Sequence, residues 1–372
     1  MKNYIEKLAY ITLVILCFGY IFVHGDSFGL QNISETVFLP GMKTVLSGQE
    51  AKVWTKMGIE RLYPLYGYVN KNAPIVAQVE DELTYEMLLA QQANDEYSMP
   101  EDIVTPSENT GPVQSTAGLD MSMEKLRNFD YLIRNFYTVD STTTIGPEQL
   151  NVDDLLSRNM KINAQTKGPK ILIFHTHSQE AFANSVPGDA NTSIVGMGQY
   201  LAELLNLKGI QTIHHNGVYD LINGKLDRSK AYELSEAGVR KILKQNPTIE
   251  VVIDLHRDGV PDTTHLVTNV NGKQTAKIMF FNGLSRTKTN GDIAYLKNPY
   301  IQDNLSFSLQ MQLQTESMYP GFARRIYLKG YRYSLHMMPK SLLIEAGAQT
   351  NTVEEMKNAM ELLANVLAEV LL

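Results

Sequence analysis

From Lys170 onwards the chain alternates between short apolar runs and helical segments, and this alternation restricts its fold more than any other feature. The apolar runs are short and rich in β-branched residues, as buried strands are: ILIF, VVIDL and SLLI. Segments with helical spacing separate them, for example GMGQYLAELLNLKG, which ends at Gly209. Strands that alternate with helices are typical of α/β folds, so we predict a central, mostly parallel sheet flanked by helices.

A hairpin and two helices are also predicted in this part of the chain. HLVTNV and KQTAKIMFFN flank an Asn-Gly dipeptide and are predicted to form a hairpin. The segment NLSFSLQMQLQTESMYPGFARRIYL is predicted to be helical. A last helix is expected after Thr352, which has the spacing of a capping box with Glu355.

Side chains that bind metals or transfer protons follow each of the three apolar runs. They are His175, His177 and Glu180 after ILIF, His256, Arg257 and Asp258 after VVIDL, and Glu345 after SLLI. The carboxyl ends of parallel strands meet at one edge of a sheet, where α/β proteins place their functional groups. We therefore expect these residues, distant in sequence, to form one site.

The residue types at these positions indicate a hydrolytic zinc centre. Such a centre needs three protein ligands and one open position for water, and imidazole and carboxylate both suit zinc. His177 and Glu180 are three residues apart, and His256 can supply the third ligand. Zinc lowers the pKa of bound water toward ~7, and a separate carboxylate then moves the proton to the leaving group. We assign that second task to Glu345.

The histidines also have structural interpretations. His175 and His177 share a face if the strand continues, so either can be the ligand. We favour His177 as the ligand and place His175 as a supporting or substrate contact. His256 follows a mostly apolar run and needs a polar partner, which a metal or Asp254 can supply.

The acidic candidates and Arg257 likewise have alternatives. Glu180 can favour the dipole of the helix that follows, and Glu345 can form a salt bridge with Arg257. Arg257 can hold a substrate carboxylate or stabilise charge on the scissile carbonyl, and Asp258 can orient a ligand histidine. A pair between Arg257 and Asp258 that only stiffens the loop is equally open.

The N-terminal residues predict export. Residues 8–23 are almost entirely apolar and follow Lys2 and Lys7. We interpret residues 1–25 as a cytoplasmic end and a transmembrane helix, so that the protein is a single-pass protein of the cell membrane with its catalytic part outside the cytoplasm. A cleaved signal peptide is the alternative, although FVHGDSFG offers no small-x-small cleavage site.

Composition divides the remaining chain and narrows the function classes. Residues 26–120 end in a stretch rich in Pro, Ser, Thr and Gly, so we predict a partly disordered extracytoplasmic spacer before a catalytic domain at residues 121–372. The net charge of −7 argues against nucleic acid as a partner. Cys17 is the single cysteine, so neither a disulfide framework nor a cysteine metal site can form. Motifs of serine hydrolases and nucleotide enzymes are absent from the sequence.

The strand-end motifs resemble a known family. ILIFHTHSQEAF, VVIDLHRDG and SLLIEAGAQTNTVEEM, with FYTVDSTT upstream, are similar to the stage II sporulation protein P family. The resemblance implies an α/β fold like that of zinc-dependent N-acetylmuramoyl-L-alanine amidases. It also implies a metal histidine in the motif of His175 and His177, a second metal ligand at His256, and a catalytic carboxylate at Glu345.

The same resemblance implies a substrate and a partner. Members of the family cut the amide between the lactyl group of the glycan and the stem peptide, and they are also described as endopeptidases on cross-links. The implied role is removal of septal peptidoglycan during sporulation engulfment, beside a lytic transglycosylase of the stage II sporulation protein D type.

Two other functions remain open at the level of sequence. A zinc carboxypeptidase-like cell-wall peptidase also uses His-x-x-Glu with a later His and Glu. An inert wall-binding scaffold of an engulfment complex is the alternative outside enzymes.

Overall fold

The computed structural model describes residues 119–372. Within this described part, none of the helices combines the length and the apolar character that a bilayer crossing requires. This finding overturns the expected localisation as a single-pass membrane protein. Residues 8–23, on which that expectation depended, lie outside the described residues, as do almost all residues of the predicted spacer.

A seven-stranded sheet forms the centre of the described part. Its strands, in spatial order, are β1 (Tyr137–Val139), β12 (Ile326–Lys329), β9 (Ile278–Gly283), β13 (Lys340–Ala348), β6 (Val251–Asp258), β2 (Ile171–Phe174) and β3 (Thr212–His214). Only β9 and β13 pair antiparallel; the other neighbours in the sheet are parallel. The prediction of a mostly parallel sheet is therefore confirmed, with one antiparallel junction that the sequence pattern did not indicate.

Helices cover both faces of this sheet. They are α1 (Met123–Leu126), α2 (Phe129–Phe136), α3 (Val152–Ser157), α4 (Ile194–Leu207), α5 (Ala231–Gln245), α6 (Ile301–Met318) and α7 (Val353–Leu371). The main core lies on one face, where strand residues such as Ile173 and Ile344 pack with the apolar sides of α4, α6 and α7. The second face carries Leu172 and Phe174, which pack with Val239 of α5.

Small two-stranded hairpins lie outside the main sheet. They are formed by β4 (Leu221–Ile222) with β5 (Lys225–Leu226), β7 (Val267–Val270) with β8 (Lys273–Ala276), and β10 (Arg286–Thr287) with β11 (Gly291–Asp292). The predicted hairpin corresponds to β7 and β8, and its turn residues Asn271 and Gly272 have φ of 52° and 81°, as a primed turn requires. The prediction placed IMFFN in this hairpin as well, but those residues form β9 of the main sheet.

The long predicted helix that ends in RIYL is wrong at its C-terminal end. Helix α6 stops at Met318, and Pro320 and Gly321 follow, with Gly321 at φ 76°. Neither residue continues a helix, so the chain turns there. The apolar residues that come next form β12, where Ile326 and Leu328 are fully buried.

Helix α7 closes the core and begins with the predicted capping box. The Glu355 amide donates to Thr352 Oγ1 at 3.2 Å, and the Thr352 amide donates to Glu355 Oε2 at 2.9 Å. These two bonds satisfy amide groups that the first turn of a helix otherwise leaves without partners. The cap therefore stabilises a helix whose inner face is buried over most of its length.

We expect Thr352→Ala to lower the free energy of unfolding by about 1 kcal/mol, since the cap hydroxyl is lost. For a domain of this size that corresponds to a fall in Tm of about 2–4 °C. Urea and thermal denaturation measure the change. Thr352→Ser, which keeps the hydroxyl, is the matched control, and equal losses in both variants would show that the hydroxyl is not what stabilises the helix.

Candidate metal centre

Three of the predicted ligands meet at the carboxyl ends of β2 and β6. His177, Glu180 and His256 are all buried, and one ligand atom of each lies within 4.8 Å of the others. Glu180 Oε1 is 3.5 Å from His177 Nδ1 and 3.8 Å from His256 Nδ1. The two imidazole rings meet edge to face, with centroids 4.9 Å apart. The structure thus brings together two imidazoles and one carboxylate, the set that a catalytic zinc site uses.

The turn after β2 places the first two of these side chains. The strand ends at Phe174, and Thr176 is then held on the second face by Asp254, which accepts bonds from its amide at 2.9 Å and its hydroxyl at 2.7 Å. The Arg257 amide donates to Glu180 Oε2 at 2.8 Å, so the other carboxylate oxygen, Oε1, faces the histidines. Glu180 lies well before α4, so its alternative role in the first turn of that helix is wrong.

Asp254 orients the third side chain. Its Oδ1 lies 2.7 Å from His256 Nε2, and its Oδ2 accepts a bond from Ser334 Oγ at 2.8 Å. Because Nε2 donates to this carboxylate, Nδ1 is the nitrogen that faces Glu180. Metal-binding histidines commonly have such a carboxylate on the second ring nitrogen. The sequence suggested either Asp254 or a metal as the partner of His256. The two are compatible, since Asp254 contacts Nε2 and the cluster lies at Nδ1.

Glu180 and His177 are held in the protonation states that bind a metal. Burial alone would raise the pKa of Glu180, but hydrogen bonds from His177 and His256 outweigh it and hold that pKa well below its usual range. Burial lowers the pKa of His177, so its imidazole is neutral. Burial also opposes a charged His256, yet the negative charge of Asp254 outweighs it and raises the pKa of His256. Carboxylate and neutral imidazole are the forms that bind metals.

Glu345 lies directly beside this cluster. The parallel pairing of β13 with β6 aligns Glu345 with His256, so both side chains leave the same face. Glu345 Oε2 is buried and has no hydrogen-bond partner among the described residues. Burial raises the pKa of Glu345 to about 8; the charge of His256 opposes this rise and that of Asp258 adds to it. A buried polar atom left without a partner is costly and is typical of a functional position.

A bulge interrupts the pairing of β13 with β6 just after Glu345, and the pairing resumes at Ala348 with Asp258. The register shifts before Ala348, and Gly347 has φ 59°. A Cβ on Gly347 would lie 2.5 Å from Met356 Sδ, so a side chain here would displace Met356 and would also strain the backbone at this φ. Bulges of this kind commonly lie beside active sites, where they set the direction of a neighbouring side chain.

Arg257 and Asp258 have other contacts than those predicted. The Arg257 guanidinium donates to the carbonyl oxygens of Ala181 and Asp258, both at 3.0 Å, and it forms no ion pair with Glu345. Asp258 Oδ2 accepts a bond from Arg324 at 2.6 Å, so the predicted support of a ligand histidine by Asp258 is wrong and Asp254 supplies it. A catalytic role for Arg257 stays a prediction that these contacts do not favour.

His175 lies on the other face of the sheet. Its Nδ1 is 2.7 Å from the Leu255 carbonyl, and its Nε2 is 2.9 Å from His214 Nε2, beneath α4. Burial lowers the pKa of His175 to about 4, so the pair is uncharged near neutral pH. The premise that His175 and His177 share a face fails because the strand stops at Phe174. Of the two candidates, only His177 joins the cluster.

Sequence reasoning missed two residues, Arg228 just before α5 and Tyr232 in its first turn. Arg228 Nη2 is 3.5 Å from Glu180 Oε1, and the Tyr232 ring meets the His177 ring edge to face at 5.7 Å. No motif marks either residue. The fold could have pointed to them, because the segment that leads from a parallel strand into the next helix lies at the carboxyl edge of the sheet, where the site is.

The chain has weak similarity to several solved structures of amidases. The chain is 14% identical to the CwlD amidase from Clostridioides difficile in complex with the GerS lipoprotein, over 54% of this chain and 98% of that chain, with a TM-score of 0.35. It is 12% identical to the N-acetylmuramyl-L-alanine amidase Ami1 from Mycobacterium smegmatis, over 57% of this chain and 98% of that chain, with a TM-score of 0.32. Both TM-scores are below 0.5.

Similarity to a curated protein and to a family profile shows which family the chain belongs to. The chain is 26% identical over 226 residues to the stage II sporulation protein P of Bacillus subtilis (strain 168), which covers 55% of this chain and 52% of that protein. The chain therefore spans about half the length of the curated relative. The family profile described as Stage II sporulation protein P (SpoIIP) matches residues 66–368, which is most of the sequence. The chain accordingly belongs to the stage II sporulation protein P family.

Proposed function

We propose that this chain is a zinc-dependent peptidoglycan hydrolase of sporulation that acts as an N-acetylmuramoyl-L-alanine amidase. The observation that carries the proposal is the buried cluster of His177, Glu180 and His256 beside Glu345, whose Oε2 atom has no partner among the described residues. The peptidoglycan substrate is supported by membership of the stage II sporulation protein P family. The names of the solved amidases agree with this substrate but add no independent weight.

The three candidate ligands suit zinc and leave one coordination position open. Two imidazole nitrogens and one carboxylate oxygen would be the protein ligands, contributed by His177, His256 and Glu180. With three protein ligands a fourth position stays available for water or substrate, as catalytic zinc sites require. A zinc ion held by these three residues would polarise the scissile carbonyl and lower the pKa of the attacking water.

Glu345 would move the proton in this reaction. The water oxygen bonds to the carbonyl carbon and its proton passes to the Glu345 carboxylate. The same proton then goes to the amide nitrogen as the C–N bond breaks. The second proton of the water stays on the new carboxyl group and then passes to the released amine, so that a carboxylate and an ammonium group result. The carboxylate form that this step needs is favoured once a divalent cation lies beside Glu345, because opposite charge lowers the pKa of a carboxyl group.

The name of the family indicates where this activity would act. The family description refers to sporulation, so we propose the septal peptidoglycan of the sporulating cell as the material that is cut. An additional endopeptidase activity and a partner lytic transglycosylase of the stage II sporulation protein D type stay predictions. The carboxypeptidase-like alternative differs in its products, because it would release single amino acids and not whole stem peptides.

We expect Asp254→Asn to weaken zinc binding by about 10–100-fold, since the charged partner of His256 is lost. His256→Ala, which removes the ligand itself, should weaken it further. Calorimetric titration of zinc into the chelator-treated chain measures the Kd of each variant. Asp153→Asn, at an exposed ion pair far from the cluster, is the matched control. An Asp254→Asn variant with the zinc affinity of the wild type would refute the orienting role.

We expect Glu345→Gln to lower peptidoglycan hydrolysis by about 10²–10⁴-fold while zinc stays bound, since the amide cannot take the proton. Release of dye-labelled fragments from purified peptidoglycan measures the rate, and mass spectrometry identifies intact stem peptides as the amidase product. Glu354→Gln, at an exposed position in the first turn of α7, is the control. Hydrolysis that survives both Glu345→Gln and removal of zinc would exclude this mechanism.

The raised pKa of Glu345 also predicts how stability of the metal-free chain depends on pH. Between its ordinary value of 4.5 and about 8, the folded chain holds a proton that the unfolded chain releases. Raising the pH through this window therefore lowers the free energy of unfolding. Glu345→Gln does not ionise, so its Tm relative to wild type should rise from about pH 5 to about pH 8. A Tm difference that is the same at both pH values would contradict the assigned pKa.

A further inference from the structure

Arg228 lies in a segment that is tied to the ligand loop. The buried Asp220 carboxylate accepts a bond from Ser178 Oγ at 2.7 Å and from the Gln179 amide at 3.0 Å, in the loop that carries His177 and Glu180. The Asp220 carbonyl in turn accepts a bond from the Asp227 amide at 2.9 Å. These bonds connect the β4–β5 hairpin and the residue after it to the metal cluster.

The next residues fix the backbone of Arg228 itself. The Arg228 carbonyl accepts a bond from the Ala231 amide at 3.1 Å, at the first residue of α5. Tyr232, one residue further, packs edge to face against His177. The start of α5 is therefore one wall of the site, and backbone hydrogen bonds of Asp227 and Ala231, on either side of Arg228, hold the chain there.

The guanidinium of Arg228 points into the cluster. Its Nη2 is 3.5 Å from Glu180 Oε1, the same oxygen that lies 3.5 Å from His177 and 3.8 Å from His256. The side chain is only 18% exposed, so solvent screens its charge poorly. Arg228 thus places a permanent positive charge where the carboxylate ligand and both imidazoles meet.

We propose that Arg228 is a further catalytic residue, which donates to the oxyanion that forms on the carbonyl of the scissile amide. This inference rests on the proposed amide hydrolysis. When water adds to the carbonyl carbon, the electron pair of the C=O double bond moves to oxygen and creates a negative charge. An N–H of Arg228 hydrogen-bonds to that oxygen. The pair then returns to reform the C=O bond as the C–N bond breaks.

Electrostatics explains why such a cation would act on the transition state. A guanidinium beside a divalent cation is repelled by it, so the pair is unfavourable in the resting enzyme. Negative charge that develops on the substrate oxygen between the two cations removes this repulsion. The interaction is therefore stronger in the transition state than in the ground state, which is the condition for raising kcat.

Other arginines near the site are already held by different groups. The Arg257 guanidinium donates to two backbone carbonyls, and Arg324 pairs with the Asp258 carboxylate at 2.6 Å. Arg228 instead has a predicted metal ligand as its ion-pair partner. The competing role for Arg228 is structural, namely to neutralise Glu180 and hold its carboxylate in place. The two roles predict opposite effects on zinc affinity.

The test compares Arg228→Ala, Arg228→Lys and Arg240→Ala in the full chain. Arg240 is an exposed arginine of α5 that pairs with Glu236, so it is the matched control. For each protein we would measure kcat and KM on purified peptidoglycan, the zinc Kd by calorimetry, and Tm. Free guanidinium ion is then added to ask whether it restores kcat to the alanine variant.

We expect Arg228→Ala to lower kcat by about 10²–10³-fold, the effect of losing one oxyanion donor, with a zinc Kd that is unchanged or tighter. Arg228→Lys should retain part of kcat, free guanidinium should raise kcat of the alanine variant only, and Arg240→Ala should match wild type.

Three results would overturn the inference. The first is an alanine variant with kcat within about threefold of wild type at full zinc occupancy, far from the loss expected for an oxyanion donor. The second is a fall in kcat that follows a weaker zinc Kd in both Arg228 variants, which would show the structural role. The third is a zinc-loaded wild-type chain that does not cut peptidoglycan, which would reject the proposed function together with this inference.

Discussion

The buried carboxylate of Asp254 is the interaction on which the rest of the site depends. It lies on β6 with almost no exposure and accepts bonds from Thr176, Ser334 and His256. Thr176 belongs to the turn after β2 and Ser334 to the loop before β13, so one side chain joins three separate parts of the chain. A buried charge is tolerated only with several such donors. Here those donors are the residues that set the geometry of the candidate metal centre.

The two further carboxylates of the site have opposite environments. Hydrogen bonds from histidines outweigh burial at Glu180 and lower its pKa, whereas burial prevails at Glu345 and raises its pKa to about 8. The first environment suits a ligand and the second suits a group that exchanges a proton. This difference arises from position, since Glu180 lies on the ligand loop between the histidines and Glu345 lies on β13, beside His256.

Much of this arrangement was predictable because strand ends carry strong local signals. The runs ILIF, VVIDL and SLLI, each followed by His or Glu, predicted both the parallel strands and the convergence of His177, His256 and Glu345 at one edge. The antiparallel entry of β9 beside β13 was not predictable, because IMFFN reads equally well as the end of a hairpin. The sequence offered both Asp254 and Asp258 as partners of a ligand histidine, and which of them takes that role depended on contacts from other elements.

By itself the sequence determined the α/β class, the three apolar strands that carry the site, and the convergence of His177, Glu180 and His256 beside Glu345. These follow from local periodicity and from the rule that parallel strands end at one edge. Only the tertiary structure decided that His175 lies on the opposite face, that Arg257 contacts backbone carbonyls, and that Arg228 reaches Glu180. Each of these depends on where a strand stops or how a loop folds back, which no residue spacing encodes.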